Sequence, residues 1–228
     1  MSEKELTIVT GASRGIGRSI ALRFAKEGHD VVLFGRDADA LKKVEDELSA
    51  FDINTGVYLG DIADEEFVRS SVNNILDTFG KVDHLINNAG MAIMKKVVDS
   101  SLDEFKQQID TNLYGVYNFT KAVLPSMIER RSGSIINIVS LAGKNPLPSG
   151  ALYSASKHAV LGFTKSLMME VREYNIRVAA ICPGSVDTSF GSERVKRMNA
   201  DKILQPDDVA DTVLAVIKLP ARALVSEI

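Results

Sequence analysis

Leu6-Thr7-Ile8-Val9-Thr10-Gly11-Ala12-Ser13-Arg14-Gly15-Ile16-Gly17 is a short apolar run that breaks into three closely spaced glycines and passes directly into a helical pattern. Glycines at a strand-to-helix junction let the backbone turn sharply and expose its amides, and the positive end of the following helix favours a diphosphate there. The spacing is Gly-x-x-x-Gly-x-Gly, not the commoner Gly-x-Gly-x-x-Gly. Gly11, Ser13, Arg14, Gly15, Ile16 and Gly17 form this candidate cradle. Tight packing of strand on helix is the plain alternative.

Outward from the turn the chain repeats the same alternation. Apolar, β-branched runs at 6–9, 31–34, 53–59, 82–86, 135–139 and 176–181 alternate with helical patterns at 16–27, 38–48, 65–79, 102–129, 151–173 and 207–217. Runs that are apolar along their whole length and separated by helices belong to a parallel sheet covered on both faces, because each crossover lays a helix on the sheet. The expectation is an α/β fold, a Rossmann-type doubly wound sheet of about seven strands in the order 3-2-1-4-5-6-7, with 223–225 as the last edge strand. Pro125 should interrupt or bend the fourth helix, since proline lacks the backbone donor. Pro206, followed by Asp207 and Asp208, suits the start of the last helix. No Pro/Gly/Ser linker, repeat or low-complexity tract divides the chain. A single domain over 1–228 follows, with a nucleotide half at about 1–90 and a catalytic half at about 91–228. The polar connection at 184–205 is the candidate substrate lid.

The bulk properties narrow the function classes. Twenty-seven basic against thirty acidic residues give a net charge of -3, so no electrostatic footprint for nucleic acid or an anionic membrane is expected. The one cysteine, Cys182, reads as a small core hydrophobe, and the lack of metal-ligand spacing leads to no expected metal site. A polar start that runs straight into a strand, with no long apolar run, reads as a cytoplasmic protein without leader or anchor.

About twenty residues after the glycine turn, sites for an unphosphorylated dinucleotide usually carry an acid that takes the ribose 2′-hydroxyl. Here the stretch is Phe34-Gly35-Arg36-Asp37. Gly35 offers no carboxylate, while Arg36 and Arg14 suit a 2′-phosphate, so NADP(H) is favoured over NAD(H). Asp37 either takes a ribose hydroxyl or caps the next helix. Further along, Tyr153 and Lys157 lie four apart on one helical face. An ammonium beside a phenol favours the phenolate and brings it toward a useful acid/base. By itself this spacing is common in helices by chance. Ser140, at the carboxyl end of the fifth strand, falls on the same sheet edge as the glycine turn and can hold a developing oxyanion.

Taken together, the 10–17 turn, Asp61, Asn87-Asn88-Ala89-Gly90, Asn112, Ser140, Tyr153-x-x-x-Lys157 and Pro183-Gly184 follow the order and spacing of the short-chain dehydrogenase/reductase family, which the sequence resembles along nearly its whole length. The resemblance implies hydride transfer between NADP(H) and a small-molecule carbonyl or alcohol, with 3-oxoacyl thioesters among the substrate classes. It implies Tyr153 as general acid/base, Ser140 as partner of the substrate oxygen, and Lys157 as ribose ligand and depressor of the Tyr153 pKa. It further implies that Asn112 helps hold a relay water. Asp61 and Ile62 would contact adenine, Asn88, Ala89 and Gly90 would line the adenosine ribose, and Val186 and Thr188 would meet the carboxamide. Asn87 reads as structural, and His29, His84 and His158 as surface or strand-end histidines. Many members of the family continue beyond the last strand, whereas this chain stops at Ile228, so homodimer and homotetramer both stand as expectations. An NAD-dependent alcohol dehydrogenase and a nucleotide sensor without turnover are the competing readings.

Overall fold

The computed structural model describes residues 4–190, 202–220 and 222–228. Six parallel strands form one sheet: β1 (Leu6–Thr10), β2 (Asp30–Gly35), β3 (Thr55–Leu59), β4 (His84–Asn87), β5 (Gly133–Ile138) and β6 (Ile176–Ile181). Their order is β3-β2-β1-β4-β5-β6, so the winding reverses between β1 and β4. That reversal opens a crevice at the carboxyl ends of the two strands, where ligands bind in such sheets. This is the Rossmann-type fold expected from the alternation of runs.

Period-two alternation divides the inner strands between two cores. Val9, Val31 and Leu33 face a layer made by α1 (Gly15–Lys26), α2 (Ala38–Leu48) and α7 (Pro206–Lys218), through Phe24, Leu41 and Val213. Leu6, Ile8, Val32 and Phe34 face α3 (Glu65–Phe79), α5 (Gly115–Arg130) and α6 (Ala151–Val171), through Val72, Phe119 and Leu167. Both faces of β1 and β2 are thus dry, which is why these strands read as unbroken apolar runs. Cys182 is buried in a third, smaller cluster with Val139 and Val160.

Two expectations change. The run at 223–225 forms no strand: Ala223 closes a turn by donating to Pro220 O (2.8 Å), and the last residues pair with β6 instead, through Ala180 N to Ser226 O (3.0 Å) and Ile228 N to Ala180 O (2.9 Å). Six strands and one parallel bridge between Ala180 and Glu227 replace seven strands. The bridge occupies the edge position expected for the seventh.

The pattern at 102–129 is also not one helix. It divides into α4 (Leu102–Ile109), a π-helical turn (Asp110–Tyr114) and α5, and α5 runs on through Pro125. Phe119, Val123 and Met127 are buried on either side of the proline, so packing outweighs one missing hydrogen bond. No described helix is long and apolar enough to cross a membrane.

Candidate active site

The glycine turn is held from behind. Thr10 Oγ1 accepts the backbone N–H groups of Asn88 and Ala89, both at 3.0 Å, and Asn88 Nδ2 donates to Thr10 O (3.0 Å) and Gly11 O (3.2 Å). The end of β4 is thereby stapled to the turn. Gly11 and Gly15 have φ of +64° and +54°, where a Cβ is strained. At Gly17 a Cβ would lie 2.2 Å from Gly11 O and 2.6 Å from Asn88 Nδ2, so only glycine lets α1 approach this closely. A Cβ on Gly15 would lie 3.2 Å from Thr188 Cγ2, so Thr188 covers the turn.

The start of α1 fits an anion. Its N-cap, Arg14, makes no side-chain cap and its first turn holds no acid, so first-turn amides remain available beside a guanidinium. By contrast, Asp37 caps α2, accepting from Ala40 N (3.0 Å), and Asp64 caps α3, accepting from Phe67 N (3.0 Å). Arg14 and Arg36 are both exposed, and neither makes an ion pair among the described residues. Exposed Asp61 closes a local turn through Ala63 N (2.9 Å). The buried Ile62 side chain instead packs on Gly115 of α5, and Asn118 Nδ2 donates to Ile62 O (3.1 Å).

The π-helical turn aims Asn112 inward. Fully buried, Asn112 accepts from Met91 N (2.8 Å) and donates from Nδ2 to Met91 O and Ser156 Oγ, both at 2.9 Å. Ser156 Oγ in turn donates to Tyr153 O (2.8 Å). A Cβ on Gly90 would stand 3.2 Å from Asn112 Oδ1 and 3.6 Å from Lys157 Nζ, so Gly90, Asn112 and Lys157 meet at one point. On the other side, backbone bonds from Val139 to Ile181 and from Leu141 to Pro183 extend the β5–β6 pairing past the strands. They bring Ser140 beside Pro183-Gly184. Ser140 Oγ accepts from Ala142 N (3.0 Å).

Tyr153, Lys157 and Ser140 stand together at the carboxyl edge of the sheet. Lys157 is buried, donates to Ile138 O (2.9 Å) and lies 5.9 Å from the Tyr153 ring centroid. Burial brings its ammonium down to about 8. Burial also raises the Tyr153 phenol above its usual value, opposed by the hydrogen bond with Ser140. The Lys157 ammonium turns to a backbone carbonyl while standing over the Tyr153 ring.

The model of the short chain dehydrogenase family matches residues 5–199. The chain belongs to the short-chain dehydrogenase family. An uncharacterized oxidoreductase of Staphylococcus aureus strain MRSA252 is 36% identical over 224 residues, 98% of this chain and 95% of that protein. Among solved structures, a metagenomic short-chain oxidoreductase in complex with NADP is 33% identical with a TM-score of 0.87, covering 98% of this chain and 95% of its own. NAD+-bound xylitol dehydrogenase is 27% identical with a TM-score of 0.90, covering 98% and 96%. The protein is therefore an oxidoreductase of short-chain dehydrogenase type.

Within this short-chain dehydrogenase, the two described ends of the 184–205 connection are tied together. Asp187 N donates to Leu204 O (2.8 Å), Leu204 N donates to Ser185 O (3.1 Å), and Val186 is buried beneath. Phe190 brings its ring to 6.3 Å from that of Tyr153. The rest of the expected lid, 191–201, lies outside the described residues. Asn87 is structural as read: Nδ2 donates to Asn137 Oδ1 (2.9 Å), and Asn137 Nδ2 donates to Thr164 Oγ1 (2.8 Å). His29 and His84 are strand-end histidines, one of the two readings, and both are buried beside Phe24 of α1. Sequence reading missed Ser156, whose signal is its place three residues after Tyr153 on the same helix face. It also missed the Ile138 carbonyl, for which no side-chain signal exists.

Proposed function

We propose that this short-chain dehydrogenase is an NADP(H)-dependent carbonyl reductase acting on a small-molecule carbonyl or secondary alcohol, with 3-oxoacyl thioesters as one substrate class. The observation that carries the reading is the convergence of Ser140, Tyr153 and Lys157 at the sheet edge bearing the uncapped α1 start with Arg14 and Arg36. When bound, the nicotinamide cofactor supplies or accepts the hydride. Tyr153 donates the proton to the carbonyl oxygen on reduction and takes it back on oxidation, while the Ser140 hydroxyl holds that oxygen. Lys157 binds ribose and stabilises the phenolate formed when the proton leaves. Asn112 supports a water that returns the proton.

Gly11, Ser13, Gly15, Ile16 and Gly17 hold the diphosphate, and Arg14 and Arg36 hold the 2′-phosphate. Asp61 and the backbone of Ile62 meet adenine, and Asn88, Ala89 and Gly90 line the ribose, with Asn88 acting chiefly by fixing the turn. Pro183, Gly184, Val186 and Thr188 border the carboxamide. Residues 1–228 act as one domain, and the chain assembles as a homo-oligomer.

The test is a fluorescence titration with NADPH and NADH, followed by absorbance decay on ketones, aldehydes and ketoacyl thioesters. NADPH should bind more tightly, and Arg36→Ala should weaken it by roughly tenfold or more while leaving NADH unchanged. Tighter NADH binding would replace this reading with an NAD-dependent alcohol dehydrogenase. Binding without turnover on any substrate would replace it with a nucleotide sensor.

A further inference from the structure

The amino-terminal edge of the sheet carries a cluster that hydride transfer does not use. Leu6 pairs with Asp30 and Thr7 with His84, so Glu5, His29 and His84 stand at the starts of β1, β2 and β4, three adjacent strands. The five residues of β1 separate them from the glycine turn, roughly 15 Å of extended chain. Glu5 Oε2 lies 3.4 Å from His29 Nε2 and 3.2 Å from His84 Nε2. The two rings are 5.3 Å apart, and Phe24 stands edge-on to His29 at 5.1 Å. A cleft of about 420 Å³ opens beside them, lined also by Asp83, Arg172 and Lys218.

The two Glu5 spacings match a coordination sphere, and the three ligand atoms all lie within 4.8 Å of one another. An ion that holds nitrogen and oxygen at about 2.0–2.1 Å in a tetrahedron sets neighbouring ligand atoms about 3.3–3.4 Å apart. His29 Nδ1 is 3.2 Å from Thr7 Oγ1, the outer hydrogen bond that fixes a ligating imidazole with Nε2 toward the metal. His84 is 6% exposed, and among the described residues its Nδ1 has no hydrogen-bond partner and its Nε2 meets Glu5. Asp83 is committed elsewhere, to Leu6 N (2.8 Å), Lys81 (3.0 Å) and Arg130 (3.0 Å). Glu5, half-exposed, leaves the fourth position open to water from the cleft. Two imidazoles and one carboxylate favour zinc-like ions over magnesium or calcium, which require mostly oxygen.

We propose that Glu5, His29 and His84 form a binding site for a divalent transition ion of the zinc class that ties together the starts of β1, β2 and β4. The ion is remote from Tyr153 and acts on stability, not on hydride transfer. The test uses the untagged full chain, stripped with a chelator and titrated with zinc chloride, with bound metal measured by mass spectrometry and the unfolding midpoint by calorimetry. One equivalent of zinc per chain should bind at micromolar concentration and raise the midpoint by several degrees, while magnesium leaves it unchanged. Cobalt should give the intense visible bands of a tetrahedral site.

Glu5→Gln, at an exposed position that keeps the fold, and His84→Gln should abolish uptake. Thr7→Val should weaken it by roughly 10- to 100-fold. Circular dichroism and nucleotide titration of each variant report that it is folded. No stoichiometric zinc at micromolar concentration, or uptake that survives Glu5→Gln and His29→Gln together, would overturn the site. A midpoint that follows pH but ignores zinc would assign the cluster to shared protons and overturn it equally.

Discussion

Replacing Tyr153 by Phe deletes one oxygen from a ring otherwise buried beside Phe190 and Lys157. The packing survives, so nucleotide affinity should hold while turnover falls by roughly 10²- to 10⁴-fold, as expected for loss of a positioned proton donor. Parallel fluorescence and absorbance titrations of the variant check this, and retained turnover would remove Tyr153 from the role. Lys157 carries a pH signature. Its ordinary value of 10.5 drops to about 8 in the folded protein, so below about 8 both folded and unfolded chains hold the proton and the burial penalty is present in full. Between about 8 and 10.5 the folded chain releases the proton first, the unfolded chain binds more protons, and stability rises with pH. The span corresponds to roughly 3 kcal/mol at 1.36 kcal/mol per pH unit. Cys182 and Tyr153, both raised by burial, act in the opposite sense, from about 9 and about 10 respectively, where the unfolded chain ionises first, so they temper the climb. Urea midpoints of the nucleotide-free protein should therefore climb from pH 8 toward 10 and then flatten. Lys157→Met should abolish that climb and stabilise the protein at pH 7 while losing turnover.

At the scale of elements, the site depends on how closely helices are allowed to approach. Gly17→Ala would drive a Cβ to 2.2 Å from Gly11 O and 2.6 Å from Asn88 Nδ2, contacts that only a shift of α1 relieves. We expect a loss of roughly 1–3 kcal/mol of stability, as for overpacking generally, together with nucleotide affinity, measured by urea unfolding and fluorescence titration. Wild-type binding in this variant would show that the turn tolerates displacement of α1. The glycines were legible because strand, turn and helix follow one another within twelve residues. The π-helical turn at Asp110–Tyr114 was not legible, because one extra residue in a turn barely disturbs the apolar spacing of the helices on either side. Sequence placed an interruption or bend at Pro125, where the helix is unbroken, and missed the irregularity at Asn112, whose buried amide reaches Met91 and Ser156 from that turn.

At the scale of the whole molecule, Tyr114 and Tyr117 are 52% and 43% exposed on the outer side of α5 and its preceding turn, and Met169 is 58% exposed on α6. Tyr117 also meets the Phe163 ring (6.5 Å), and these exposed apolar side chains support the proposed homo-oligomer. Light scattering should give two or four times 24.8 kDa, and Tyr117→Glu should shift it toward the monomer; a monomeric wild type would dismiss the assembly. The amino-acid sequence by itself determined the parallel doubly wound sheet, the glycine turn, the Tyr153–Lys157 face and the start of the last helix at Pro206. These depend on neighbours within one strand or one helix turn, where periodicity and residue type carry the signal. Only the tertiary structure decided that Lys157 turns to the Ile138 carbonyl, that Asn112 and Ser156 lock together, that the chain end pairs with β6 at 226–228, and that Glu5, His29 and His84 share one edge. Each of these joins residues far apart in the chain, or aims at a backbone atom. Strand register and helix packing bring them together, and neither is written in local spacing.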